Sequence, residues 1–238
     1  VRRLVALLCA VGIVLGLAGP TWRALRGGEV RTYTWAHYRL GASYFGEVGY
    51  TGLYRAMLGA DRAGYWGPGG SAPIEAVRDL RTYAQEGRPP PLTLAPPRQG
   101  QLERDVAFFQ PRLSAGEWRS FFGDKGYNGT PAWWATSGRV VAGVPLTPGW
   151  LSAVGLADLG LLALALLALR ATFGPFAGLL AGAWIALYYG AEGHLVGGPL
   201  QLDFLLAATL SVCALRAGRP GLGGALLGWS AALRVFPA

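Results

Sequence analysis

The sequence predicts an all-α protein: a polytopic transmembrane helix bundle, about five spans in this chain, with a large exoplasmic loop of short amphipathic helices. Three observations carry this. Residues 150–238 form an almost unbroken apolar run that short polar breaks cut into four pieces. A further apolar stretch, residues 4–18, stands near the start. The composition agrees: 52% of the 238 residues are hydrophobic and only 14% are charged. A soluble domain carries about a quarter charged residues, and apolar runs of roughly 18 or more suit a bilayer. The organisation that follows is a first transmembrane helix at 1–22, an exoplasmic region at 23–149 and a four-span bundle at 150–238.

Residues 4–18 follow Arg2 and Arg3. Ala18 and Gly19, small residues after Leu17, suit signal cleavage, but Pro20 directly after them does not, and Trp22 stands where an interfacial anchor belongs. We read the segment as an uncleaved helix. Residues 27–63 alternate aromatics (Tyr33, Trp35, Tyr38, Tyr44, Tyr54) with Arg31, Arg39 and Arg55. Residues 32–45 read as an amphipathic helix, 49–52 as a turn and 53–60 as a second short helix. Helices of this kind favour the membrane interface, with rings at headgroup depth and guanidinium groups on phosphate; the alternative is that the aromatics pack a small exoplasmic cap.

Further on, 65–73 is a loop, 74–85 a helix, and 87–100, with five prolines, a surface linker. Residues 102–109 read as helix. Ser114 opens another, with Glu117 three residues on as a capping box. Residues 121–134 are glycine-punctuated turns. The expected spans are 150–169, 173–189, 200–215 and 222 to the end. Arg170, Arg216 and Arg219 fall on the same side as Arg2 and Arg3, and the break holding Glu192 and His194 falls opposite. By the positive-inside rule the N-terminus is cytoplasmic and the large loop exoplasmic.

The net charge is +8, yet Lys125 is the only lysine. Abundant Arg, Ala and Gly reflect base composition, so the charge alone does not call for an anionic partner. No basic helix with interleaved aromatics stands outside the membrane setting, which argues against nucleic acid. Cys9 and Cys213 lie in apolar segments and read as small hydrophobes. Val1 and the apolar segment running to Ala238 make both ends read as cuts in a longer chain.

One helix, a large exoplasmic loop and then short-looped spans resemble the GT-C superfamily of polytopic glycosyltransferases. The chain is most similar there to bacterial polyprenyl-phosphate-dependent mannosyltransferase-like proteins. Glu29, Tyr33, Gly41 and Gly52-Leu53-Tyr54 resemble the family's acidic residue, tyrosine, helix, glycine and Leu-Tyr pattern. Arg234, Phe236 and Pro237, after a glycine-rich span, resemble its basic, aromatic and proline element. The family has aspartate where this chain has Glu29. The resemblance implies sugar transfer from a polyprenyl-phosphate donor to a glycan or glycolipid acceptor, outside a bacterial inner membrane, with membrane lipid as surroundings and no cofactor.

Such chemistry needs a carboxylate to take the acceptor's proton and cations to hold the departing phosphate. Glu29 is the first candidate base by position. Asp158 is the second, because a carboxylate inside a span costs about 2.5–3.5 kcal/mol on insertion scales and is functional by default; a helix–helix hydrogen bond is its structural alternative. Glu47 and Asp61 are further carboxylates near the turn at 49–52. Arg39, Arg55 and Arg234 are phosphate candidates, while His37, Tyr33 and Tyr54 are substrate-binding candidates. Glu192-x-His194 lacks further ligands, so no metal site is expected. No Walker loop, dinucleotide fingerprint or nucleophile elbow is present. A non-enzymatic polytopic protein with a partner-binding exoplasmic cap, or a transporter fragment, are the readings from other classes.

Overall fold

The computed structural model describes residues 2–26, 31–127, 129–188 and 197–234. Helices α1 (Arg2–Leu25), α2 (Thr32–Val48) and α3 (Leu53–Gly59) are followed by a two-stranded hairpin, β1 (Ala76–Arg78) and β2 (Gln85–Gly87). Then come α4 (Arg98–Phe109), α5 (Ala115–Gly123), the one-turn α6 (Pro131–Trp133), a π-helical turn at Trp134–Gly138 and α7 (Arg139–Gly143). The apolar half supplies α8 (Pro148–Phe173), α9 (Pro175–Leu187), α10 (Asp203–Arg216) and α11 (Pro220–Leu233). Among the described residues the protein is thus all-α apart from one small hairpin. Contacts divide it into two compact units: residues 1–30, 130–137 and 147–238, and residues 31–129 with 138–146.

The second unit is built around α2. From Trp35 to Ala42 every residue of this helix is buried. The expected interfacial helix, with rings at headgroup depth, is therefore the centre of a packed core. Trp35, Tyr44, Tyr54, Trp66, Trp118 and Phe121 are all at most 1% exposed, so the aromatics fill one interior. Gly41 makes this possible: a Cβ there would sit 2.4 Å from the ring of Tyr127. α5 begins as its sequence predicts, with Ser114 accepting from the Glu117 amide at 3.2 Å and Glu117 accepting from the Ser114 amide at 2.7 Å.

The helix expected over 74–85 is instead the β1–β2 hairpin, antiparallel with Val77 opposite Glu86. Local chemistry explains the difference. Asp79 accepts from the Arg81 amide at 2.7 Å and Thr82 from the Ala84 amide at 3.3 Å, two side-chain turns that compete with helix. Arg78 then ties the hairpin to α5, its Nε donating to the Gly123 carbonyl at 2.6 Å. β-Branched Val77 and nearby Leu80 enter the core.

In the first unit, α8 lies against α9, α10 and α1, and α10 against α11. Leu162 and Leu202 centre its apolar core, with Leu17, Leu156, Leu166 and Ile185 around them. α1 runs through Pro20 to Leu25 and packs on α9 at small residues. A Cβ on Gly16 would lie 2.3 Å from the Ala186 carbonyl oxygen, so the helices meet backbone to backbone. α1 and α8 are the two described helices long and apolar enough to cross a membrane. α9, α10 and α11, expected as full spans, have 13, 14 and 14 residues. At 1.5 Å per residue they rise about 20 Å, against about 30 Å of hydrocarbon.

Candidate functional site

The first unit gathers polar groups where α8, α10 and α11 come together, in otherwise apolar surroundings. Asp158 of α8 is fully buried, and its two oxygens accept from the amides of Gln201 and Leu202, each at 3.0 Å. It thereby satisfies donors just ahead of α10 that have no partner within that helix. This is the structural alternative for Asp158: its carboxylate is occupied as a cap supplied by another helix. One residue later Asp203 opens α10, accepting from the Phe204 amide at 2.8 Å and from the Ser137 hydroxyl. Asp203 is only half-buried.

Arg234, at the end of α11, lies within electrostatic reach of both carboxylates. Its guanidinium carbon stands 5.6 Å from the centre of the Phe204 ring. The segment 130–137 locks this arrangement. Thr130 donates to the Ala232 carbonyl at 2.6 Å, Trp133 Nε1 to the Leu200 carbonyl at 3.2 Å, and Ser137 reaches Asp203 from the π-helical turn. Ser230 donates to the Phe204 carbonyl at 2.8 Å, joining α11 to α10. π-Turns recur at functional sites because they re-aim side chains. Asp158 and Arg234 were singled out by the sequence, and the fold leaves them within electrostatic reach of each other. Ser137 was missed; no local pattern announces a π-turn. Asp203 stood at the start of an apolar segment, where an acidic residue suits a helix N-terminus.

In the second unit, Tyr33, His37 and Tyr54 come together inside the aromatic core. His37 Nδ1 lies 3.2 Å from the Tyr33 carbonyl, which can only accept, so this nitrogen carries the proton. Nε2 is then the acceptor, and the Tyr54 hydroxyl donates to it at 3.2 Å. The ring stacks on Phe121 with centroids 3.6 Å apart. Burial, partly opposed by Asp124, pulls the His37 pKa down to about 4, so the imidazole is neutral at pH 7. The Tyr33 hydroxyl donates to Asp124 at 3.0 Å, and burial pushes its pKa up to about 12. Tyr54 is raised too, chiefly by burial. His37 and Tyr54 thus form an interior network with both imidazole nitrogens engaged.

Arg39 is also inside, 6% exposed, donating to Ser43. Burial lowers its pKa, opposed first by Asp105. Asp105 accepts from the Tyr44 hydroxyl at 2.8 Å, and burial raises its pKa. Arg98 covers the Tyr44 ring at 4.5 Å and pairs with Glu47, whose hydrogen bond raises the Arg98 pKa. Arg39 therefore lies in the interior, under the electrostatic influence of Asp105, and not at an exposed surface. Asp61 caps the loop after α3, accepting from the Tyr65 and Trp66 amides at 2.8 and 2.7 Å. Arg55 is half-buried at the edge of a cavity. Glu29, Glu192, His194, Phe236 and Pro237 lie outside the described residues. Among the described residues, no three His, Cys, Asp or Glu side chains gather as metal ligands. Compared with known proteins, the chain matches no protein-family model, no curated protein and no solved structure.

Proposed function

We propose that the chain is an integral membrane glycosyltransferase that moves a sugar from a polyprenyl-phosphate donor to an exoplasmic glycan or glycolipid acceptor. The observation that carries this reading is the polar centre of the first unit. There a half-buried carboxylate, Asp203, and a guanidinium, Arg234, share an otherwise apolar helical setting. In this reading Asp203 takes the proton of the acceptor hydroxyl as its oxygen bonds to the sugar's anomeric carbon. The bond from that carbon to the phosphate oxygen breaks, and the electron pair leaves with the lipid phosphate. Arg234 offsets the phosphate's charge. Asp158 is a positioning residue: by holding the amides of Gln201 and Leu202 it fixes where Asp203 stands.

The membrane arrangement belongs to the same proposal. α1 and α8 cross the bilayer. α9, α10 and α11, shorter than the hydrocarbon layer, complete a five-span bundle where the bilayer thins locally and Trp184, Arg216 and Arg219 reach headgroup depth. The N-terminus is cytoplasmic in a bacterial inner membrane, and the second unit is exoplasmic. The resemblance to GT-C enzymes supports Arg234 and offers Glu29 as the competing base.

The test is sugar transfer from synthetic polyprenyl-phosphate sugars by the protein in lipid nanodiscs, over a panel of glycan acceptors. Loss of a general base lowers the rate about 10²–10⁴-fold, and that is the expected effect of Asp203→Asn. Full transfer by Asp203→Asn, with loss in Glu29→Gln, moves the base to Glu29. A wild-type protein that transfers to no acceptor overturns the enzymatic reading.

A further inference from the structure

The second unit holds a cavity of about 420 Å³ that the proposed transfer chemistry does not use. It lies between the end of α2, the start of α3, the hairpin and the proline segment at 89–92. Its walls are of two kinds. Val48, Val77, Leu80, Pro89, Pro90 and Leu92 give apolar surface. Thr51, Arg55, Arg78, Asp79, Arg81 and Glu86 bring polar groups to the same space. Glu47 lines it too, but its carboxylate is paired with Arg98.

The charges are not spent on one another. Arg78 donates to the carbonyls of Gly123 and Tyr83 at 2.6 and 2.5 Å, and among the described residues its positive charge meets no carboxylate. Arg55 uses Nε on the Pro90 carbonyl at 3.0 Å, which fixes its guanidinium plane. Its two terminal nitrogens have no described acceptor. Arg81 is anchored through its backbone amide on Asp79, while its guanidinium has no described acceptor either. Glu86, paired in the strand register with Val77, has a carboxylate with no described donor. Three arginines, Arg55, Arg78 and Arg81, against the two carboxylates of Asp79 and Glu86 leave the lining positive.

We propose that this cavity is a binding site for a hexose bearing one anionic group, a phosphate or a carboxylate. A planar guanidinium fork matches either anion in two-point fashion, and Arg55 is already oriented by Pro90. Glu86 and Thr51 accept from sugar hydroxyls, and the proline and leucine walls take the ring's C–H face. The volume falls within the range of about 300–1,000 Å³ found for small-ligand sites. This assignment is independent of the transfer reaction, since none of its residues belongs to the Asp203–Arg234 centre.

Isothermal titration of the protein in nanodiscs tests it, with a hexose 1-phosphate, a hexuronate, the neutral hexose and inorganic phosphate as separate ligands. Binding of the hexose 1-phosphate or the hexuronate, weakened about tenfold by Arg81→Gln, is expected for loss of one charged hydrogen bond. Whichever of the two binds more tightly identifies the anion. Among the described residues Arg81 makes no side-chain bond, so this variant keeps the cavity intact; Arg55→Gln gives a second reading from α3. Equal affinity for the neutral hexose overturns the role of the arginines, equal affinity for inorganic phosphate overturns that of the sugar, and an unchanged Kd in both variants overturns the site.

Discussion

His37 shows what a single residue gains and loses by burial. Its imidazole is neutral in the folded protein, with a pKa near 4 against about 6.5 when unfolded. Between those values the unfolded chain binds a proton that the folded chain does not, so stability rises with pH across the window. The contribution is complete above pH 6.5 and shrinks as the pH falls toward 4. Its size is on the order of 3 kcal/mol. Thermal unfolding followed by tryptophan fluorescence should therefore show a midpoint falling steeply from pH 6.5 to 4.5. In His37→Gln that slope should flatten, because the substituted side chain does not titrate. A wild-type-like slope in the variant would assign the pH dependence to another group.

At the scale of elements, small residues decide how the apolar helices meet. Gly16 brings α1 against the Ala186 carbonyl of α9, whereas a Cβ on Gly160 of α8 would meet nothing within 4 Å. The two glycines therefore predict opposite outcomes. Gly16→Val should cost about 1–3 kcal/mol by forcing the helices apart. Gly160→Ala should leave stability unchanged or raise it by up to about 1 kcal/mol, since alanine is the better helix former. Midpoints of denaturation of the two variants in the same detergent check this; equal losses would mean that α1 does not pack closely on α9. The hairpin gives the matching lesson for the polar half. Residues 74–85 read as helix, yet Asp79, Thr82 and the Arg78 bond to Gly123 stabilise strands instead.

For the whole molecule the prediction concerns sidedness. In a background with Cys9 and Cys213 replaced, single cysteines at 119 and 216 report on opposite faces of the membrane. Arg119 is exposed on α5 and Arg216 on the last turn of α10. The proposed topology requires a membrane-impermeant maleimide to label position 119 in intact cells or spheroplasts, and position 216 only after permeabilisation. Labelling in the reverse order would place the second unit in the cytosol, out of reach of a lipid-carried sugar displayed outside.

The sequence alone determined the helical class, the capping box at Ser114, the last two turns of α4 and the position of α8. These follow from local rules: apolar content, turn residues and one side chain satisfying an amide three residues away. It also singled out Asp158, because an ionised group in an apolar segment is costly wherever it lies, and Arg234 through its resemblance to the basic position of the GT-C pattern. Only the tertiary structure decided what such groups do. Asp158 caps the start of α10 across 43 residues of sequence, and Ser137 meets Asp203 across 66. The burial of α2 is likewise a property of its neighbours, since aromatic and arginine residues at helical spacing suit a membrane interface and a packed core equally well. Periodicity records which side of a helix is apolar; what covers that side is set by elements distant in the chain.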